Sequence, residues 1–279
     1  MLIVKKFLRD IPATVGLCIL IAVLLVALFA PFLMPRPDEV FDSNIVMRLQ
    51  PPSGDYLFGT DDLGRDILSR VILGTRSALI VALTVVTVAM AIGVPTGLYA
   101  GYVPGMLSEI IMRVTDVFLA VPQLILALAL AQLLSRGMST AMLALALTYW
   151  PFFTRTVFAE ARRVRSMLFV EALEGLGASR WRIMFLHVLP NIASPIIVRA
   201  TIGMGFTILT AALLGFLGIG AAPPDPDWGL AIAESRQYLP ENWWFATFPG
   251  LAILVTVLGF NLFGDGLRDL VDPKLRRSR

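Results

Sequence analysis

IPATVGLCILIAVLLVALFAPFLM, residues 11–34, carries no charged side chain. An α-helix rises about 1.5 Å per residue and a bilayer's hydrocarbon core is about 30 Å thick, so about 20 mainly apolar residues make one crossing. This run is long enough. Lys5, Lys6 and Arg9 stand before it, which is also how a secretory leader begins. The apolar stretch is too long for a leader and small-residue cleavage signals after it are weak, so it reads as a retained signal-anchor helix.

Five further stretches have the same character. They lie within 77–108, at 117–135, at 137–153, at 192–222 with Arg199 as the one charge, and at 243–264. Hydrophobic residues make up 57% of the chain and charged residues 15%, which excludes an ordinary soluble surface. Backbone amides in lipid must be satisfied internally, so the spans are expected as helices. The expected fold class is therefore all-α, a polytopic integral membrane protein with six transmembrane helices. No repeat of 20 to 50 residues and no low-complexity linker divides it. One membrane domain is expected, with 1–72 supplying the first span and an outer loop and 73–279 a core of five spans.

Orientation follows from the Lys and Arg bias of cytoplasmic loops. Lys5, Lys6 and Arg9 precede the first span, and Arg268, Lys274, Arg276, Arg277 and Arg279 follow the last. Arg155, Arg162, Arg163, Arg165, Arg180 and Arg182 lie between the fourth and fifth. These three groups alternate correctly to share the cytoplasm, which puts both termini there. The loop 35–76 carries Asp38, Glu39, Asp42, Asp55, Asp61, Asp62 and Asp66, and the loop after the fifth span carries Asp225, Asp227, Glu234 and Glu241; both should face outward. Tyr238, Trp243 and Trp244 then fall at the outer interface, where amphipathic rings settle.

Several chemistries are excluded. Cys18 and His187 are each the only residue of their type, so an intrachain disulfide, a Cys cluster and a His-pair metal site are impossible. A net charge of +3, spread over loops and tails, does not describe a nucleic-acid binder. Gly215, Gly218 and Gly220 lack the strand and following helix of a phosphate loop, and close helix packing is the better reading of them. G-x-x-x-x-G-K-[ST] occurs nowhere. No cofactor is expected on this chain.

Residues 158–190 are too polar to cross and rich in helix formers. Ala159 to Arg165 is charged on most faces. Phe169, Val170 and Leu173 then form an apolar patch beside Glu171 and Glu174. Gly175 and Gly177 permit positive φ and a sharp turn, after which Ser179 to Val188 reads as a second helix ended by Leu189 and Pro190. Such a hairpin can be a docking surface or can lie on lipid headgroups, and residue chemistry alone leaves both open.

Glu171, Ala172, Gly177, Leu189 and Pro190 resemble the EAA signature of ABC-importer permeases: E-A-A, three residues, G, nine residues, I, one residue, L-P. Leu173 and His187 depart from it. Phe58 to Asp66 (FGTDDLGRD), Leu214 to Gly220 (LGFLGIG) with Pro223-Pro224 and Trp228-Gly229, Phe248-Pro249-Gly250, and Phe260 to Asp269 (FNLFGDGLRD) resemble the dipeptide, oligopeptide and nickel permeases, most closely the C-type subunit. The resemblance covers nearly the whole chain. It implies a MetI-like permease fold in a bacterial inner membrane and a peptide or related small solute as cargo. The implied partners are a second homologous permease in a heterodimer, two cytoplasmic ATPases that use ATP and Mg, and an extracytoplasmic solute-binding protein. On this resemblance the loop from Glu171 to Pro190 couples ATPase movement to the spans.

Gln123, Gln132, Thr148, Tyr149 and Asn261 are polar positions in or near spans that could line a translocation path or simply bond between helices. Pro95, Pro122, Pro151 and Pro249 can kink helices for gating or for packing. Glu109, Arg113 and Asp116 fit a cytoplasmic edge better than an intramembrane relay, because a charge at the bilayer centre costs about 2.5 to 3.5 kcal/mol on insertion scales. Arg199 can snorkel or line the interior. A secondary transporter working without ATPases is the rival function, but inverted repeats and mid-membrane ion ligands are not apparent.

Overall fold

The computed structural model describes Phe7, residues 10–133 and residues 137–271. The basic residues Lys5, Lys6, Arg9, Lys274, Arg276, Arg277 and Arg279, and the last residues of the expected third span, lie outside them. The described residues include eleven α-helices: α1 (Ile11–Leu33), α2 (Ile67–Tyr102), α3 (Met106–Ala120), α4 (Gln123–Gln132), α5 (Met138–Arg165), α6 (Leu168–Gly175), α7 (Arg180–Ile183), α8 (Leu189–Asn191), α9 (Ala193–Phe216), α10 (Trp228–Ser235) and α11 (Trp244–Val271). An isolated bridge between Thr60 and Asp66 is their sole β pairing. The protein is all-α.

By length and apolarity α1, α2, α9 and α11 can each cross a membrane, and α3 with α4 meet the same criteria only as a pair bent by 91°. The continuous third span expected over 117–135 is thus corrected. Pro122 lacks an amide hydrogen and holds Val121 in extended backbone (φ −93°, ψ 132°), so the helix breaks there. The first arm instead begins at Met106. α5 does not meet the same criteria: it has 28 residues, but its apolar part ends at Phe153 before Arg155 and runs straight into the charged stretch to Arg165.

α2 and α5 form the spine. Gly93, Gly97 and Gly101 recur every four residues along one face of α2, where a Cβ would come within 2.5 to 2.6 Å of the carbonyls of Trp150, Thr154 and Phe158. Only glycine lets the two backbones approach so closely. A Thr96–Thr154 hydroxyl pair at 3.0 Å fixes the register. Val85, Ala89, Leu145, Tyr149 and Phe153 then join Ala127 of α4 and Leu214 of α9 in the central core. On the opposite flank α1 docks against α11, with Gly16 tight against Leu262 and Phe263 and Gly266 tight against Ala13.

One end is closed by an ion network. Asp61 accepts from Arg65 N (2.9 Å), Leu63 N (2.9 Å) and Arg65 Nε (2.6 Å), with Arg70 Nε at 3.5 Å. Arg70 donates to the Val40 and Pro224 carbonyls at 2.7 and 3.1 Å, and Trp244 Nε1 donates to the Thr60 carbonyl at 3.3 Å. FGTDDLGRD is therefore a clasp across the loops 34–66 and 217–243. Position 64 calls for glycine twice over, because its φ is 77° and a Cβ there would strike the Asn44 carbonyl.

Candidate functional site

The hairpin 158–190 sits at the opposite end of α2. Val170, Ile183, Met184 and Val188 are buried with Leu98 and Tyr102 of α2 and Val157, Ala161 and Val164 of α5. The Tyr102 hydroxyl donates to Glu174 Oε1 at 2.7 Å, tying α6 to the spine. Gly177 has φ 78°, and amide bonds from Gly177 to Glu174 O and from Ala178 to Leu173 O close the turn. Ser179 Oγ then accepts from Arg182 N to cap α7.

Two expectations need correction here. Gly175 stays helical, so Gly177 alone supplies the positive φ. Leu189 and Pro190 do not end the second helix. After α7 the chain continues through a π-helical turn, Met184–Val188, into α8, which carries Pro190. Ile192 is the sole residue between α8 and α9, so the hairpin feeds directly into a span.

The outward face of the hairpin is apolar and charged together. Leu168 and Leu176 are each 84% exposed and Trp181 is 62% exposed, with Phe185 and Leu186 beside it. Glu171, Ala172, Gly177 and Pro190 are exposed as well, while Leu189 is half-buried. Leucine and tryptophan this open cost free energy in water and are a contact surface. Nearby, a cavity of about 390 Å³ is lined by Glu109, Arg113 and Asp116 of α3 and by Arg162 and Arg165 of α5. Arg155 holds Asp116 at 2.7 Å.

No hydrogen bond joins any two of the five polar positions Gln123, Gln132, Thr148, Tyr149 and Asn261 among the described residues. Gln123 opens α4 with its buried Oε1 unpartnered, and Gln132 ends the same helix, exposed. Tyr149 is buried between Phe153 and Phe206. Asn261 is exposed on α11, and Thr148 only back-bonds to the Leu145 carbonyl. Sequence reasoning missed two features. Arg65 and Arg70 neutralise part of the loop read as acidic, and burial pushes the Glu234 and Asp62 carboxyls up, against the opposing pull of Arg65. Arg199 lies on the rings of Tyr149 and Phe152.

Residues 93–277, which contain the hairpin and both arms of the spine's lower half, match the family described as binding-protein-dependent transport system inner membrane component. The chain belongs to that family. Residues 2–52 match the N-terminal transmembrane domain of oligopeptide transport permease C. A probable D,D-dipeptide transport system permease protein of Escherichia coli K12 is 42% identical over 96% of this chain and 89% of its own length. The dipeptide transport system permease protein DppC of the same strain is 43% identical over 97% and 92%. A glutathione transport system permease protein of Pectobacterium atrosepticum is 40% identical over 98% and 90%. In fold, a chain of an inward-facing methionine ABC transporter superposes with TM-score 0.60 at 20% identity, covering 73% of this chain and 97% of that one. This permease is a multi-pass inner-membrane protein whose family works with a solute-binding protein and ATPases, and that membership sets aside the secondary transporter.

Proposed function

We propose that this permease is the C-type half of an ABC importer for short peptides. It pairs with a second, homologous permease; two ATPases bind its cytoplasmic hairpin, and a binding protein delivers solute to the clasp end. The observation that carries this is the hairpin itself, which presents Leu168, Glu171, Leu176 and Trp181 outward and passes without a loop into α9. A push on that face moves a span. The relatives' names support short peptides as cargo.

On this reading α5 is the remaining crossing. It lies along α2 through the glycine face, and a helix packed along a crossing helix shares its slab of lipid. Six crossings then return both termini to the cytoplasm. α1 with its outer loop, 1–72, is an added element beside the core 73–279, in keeping with the two separate family matches. ATP and Mg are used by the partner subunits, and this chain binds neither.

Reconstitution tests the proposal. Proteoliposomes holding both permeases, the ATPases and the binding protein should accumulate dipeptide only with ATP. Glu171→Lys, which reverses a charge on the docking face, should cut uptake sharply at equal subunit content while leaving the binding protein's affinity unchanged. ATP-independent uptake by this chain alone would overturn it.

A further inference from the structure

Arg199 is the one charged residue of α9, seven positions into a 24-residue apolar helix. Its guanidinium carbon lies 4.9 Å from the Phe152 ring centroid and 5.6 Å from that of Tyr149. Tyr149 in turn rests on Gly203, one turn further along α9; a Cβ there would stand 2.5 Å from the Tyr149 hydroxyl. The aromatic seat is thus built into the α5–α9 contact. Arg155, the next charged level on α5, is three to six residues beyond these rings, or about 5 to 9 Å at about 1.5 Å per residue. Arginine could snorkel that far, yet its head is laid across the two rings.

No carboxylate lies within salt-bridge distance of Arg199 among the described residues, and its buried Nε has no hydrogen-bond partner. Asp116 of α3, which packs on α5, is already taken by Arg155. Ring faces satisfy the guanidinium's positive charge from above but leave its in-plane N–H fork unused. That fork matches a carboxylate's two oxygens. An ionisable side chain at membrane depth belongs on the interior or on a water-filled path, not against lipid.

We propose that Arg199, seated on Phe152 and Tyr149, binds the free carboxylate of the peptide during its passage. The inference rests on the peptide-importer reading, and it is favoured because every peptide with a free C-terminus carries the group the fork lacks. A carboxylate supplied permanently by the second permease is the competing occupant, and the experiment separates the two.

The whole complex in proteoliposomes, with binding protein saturated at affinities measured separately for each solute, is assayed for uptake of alanyl-alanine and of its C-terminal amide. Arg199→Gln should lower the maximal rate for the free acid tenfold or more and that for the amide less than threefold. Arg199→Lys should restore part of the free-acid rate. As a second readout, equilibrium binding of labelled alanyl-alanine to the permease–ATPase complex without binding protein should be weaker in the Gln variant. Equal loss for both solutes, the signature of a pairing with the other permease, would overturn the proposal, as would no loss for either. Failure of the unaltered complex to move either solute with ATP would instead remove the importer reading beneath it.

Discussion

At the scale of single residues, two side-chain positions carry more than their size implies. Gly177 has nothing within 4 Å of where a Cβ would point, so replacing it strains only the backbone at φ 78°. Gly177→Val should cost roughly 1 to 3 kcal/mol locally and lower transport, whereas Gly177→Asn, which tolerates the left-handed region, should lose much less. Uptake and solute-stimulated ATPase activity of the two variants at equal subunit content provide the comparison; equal defects would mean the turn's handedness is not what matters. Asp61 is the second position. It is fully buried between Arg65 and Arg70, and Glu234 approaches Arg65 only to 3.5 Å. Asp61→Asn leaves two guanidinium groups short of a counter-charge, and removing one partner of a buried pair costs about 3 to 5 kcal/mol. The clasp should then open, seen as faster protease cutting within 34–66; unchanged protection would show that the other contacts suffice.

Elements are decided by how closely backbones approach. The α2–α5 spine depends on three glycines spaced by four, and this spacing is readable only once the partner helix is known. Gly97→Leu would drive a branched side chain into the Thr154 carbonyl and the Val157 Cβ, which stand 2.5 and 2.9 Å from where a Cβ would lie. Overpacking of this kind costs about 1 to 3 kcal/mol or more. The variant should insert but yield a complex that dissociates or unfolds at lower temperature in detergent. Full thermal stability would mean α5 can slide outward freely. The Gly215 region behaves differently from its expectation in one respect: Gly215 and Gly220 do pack closely, but Gly218 has open space around it and φ 77°, and so ends α9 rather than packing it.

For the whole molecule, the proposed arrangement puts the hairpin in the cytoplasm and the clasp outside. With Cys18 replaced, an impermeant thiol reagent applied outside should label Ser53→Cys and Asp225→Cys, both at exposed positions of the clasp end, and should leave Ser166→Cys unlabelled until the membrane is opened. Asp227 is a poor reporter because it caps α10 through Leu230 N at 2.8 Å. Outside labelling of Ser166 would reverse the proposed arrangement and remove the ATPase dock. This outcome also bears on α5, since the alternation holds only if that helix crosses.

By itself the sequence determined the solvent and the class of fold: apolar runs too long for a soluble core demanded helices, and the Glu171–Gly177–Leu189–Pro190 spacing marked the hairpin that the structure shows folded against α2 and α5. Gly177's positive φ followed from glycine at the turn. Helix limits were less legible, because α2 begins ten residues before the apolar segment and α5 continues twelve residues past it, where packing rather than hydropathy sustains the helix. Only the tertiary structure decided the bend at Pro122, the clasp of Asp61 with Arg65 and Arg70, and the seat of Arg199. The Pro122 break itself is local and only its angle is tertiary, but the seat of Arg199 on Tyr149 and Phe152 and the reach of Arg70 to Pro224 and of Arg65 to Glu234 depend on which distant residue comes to lie alongside: a charge has one meaning at a helix end, another in lipid, and another against a partner, and the chain order alone does not place that partner.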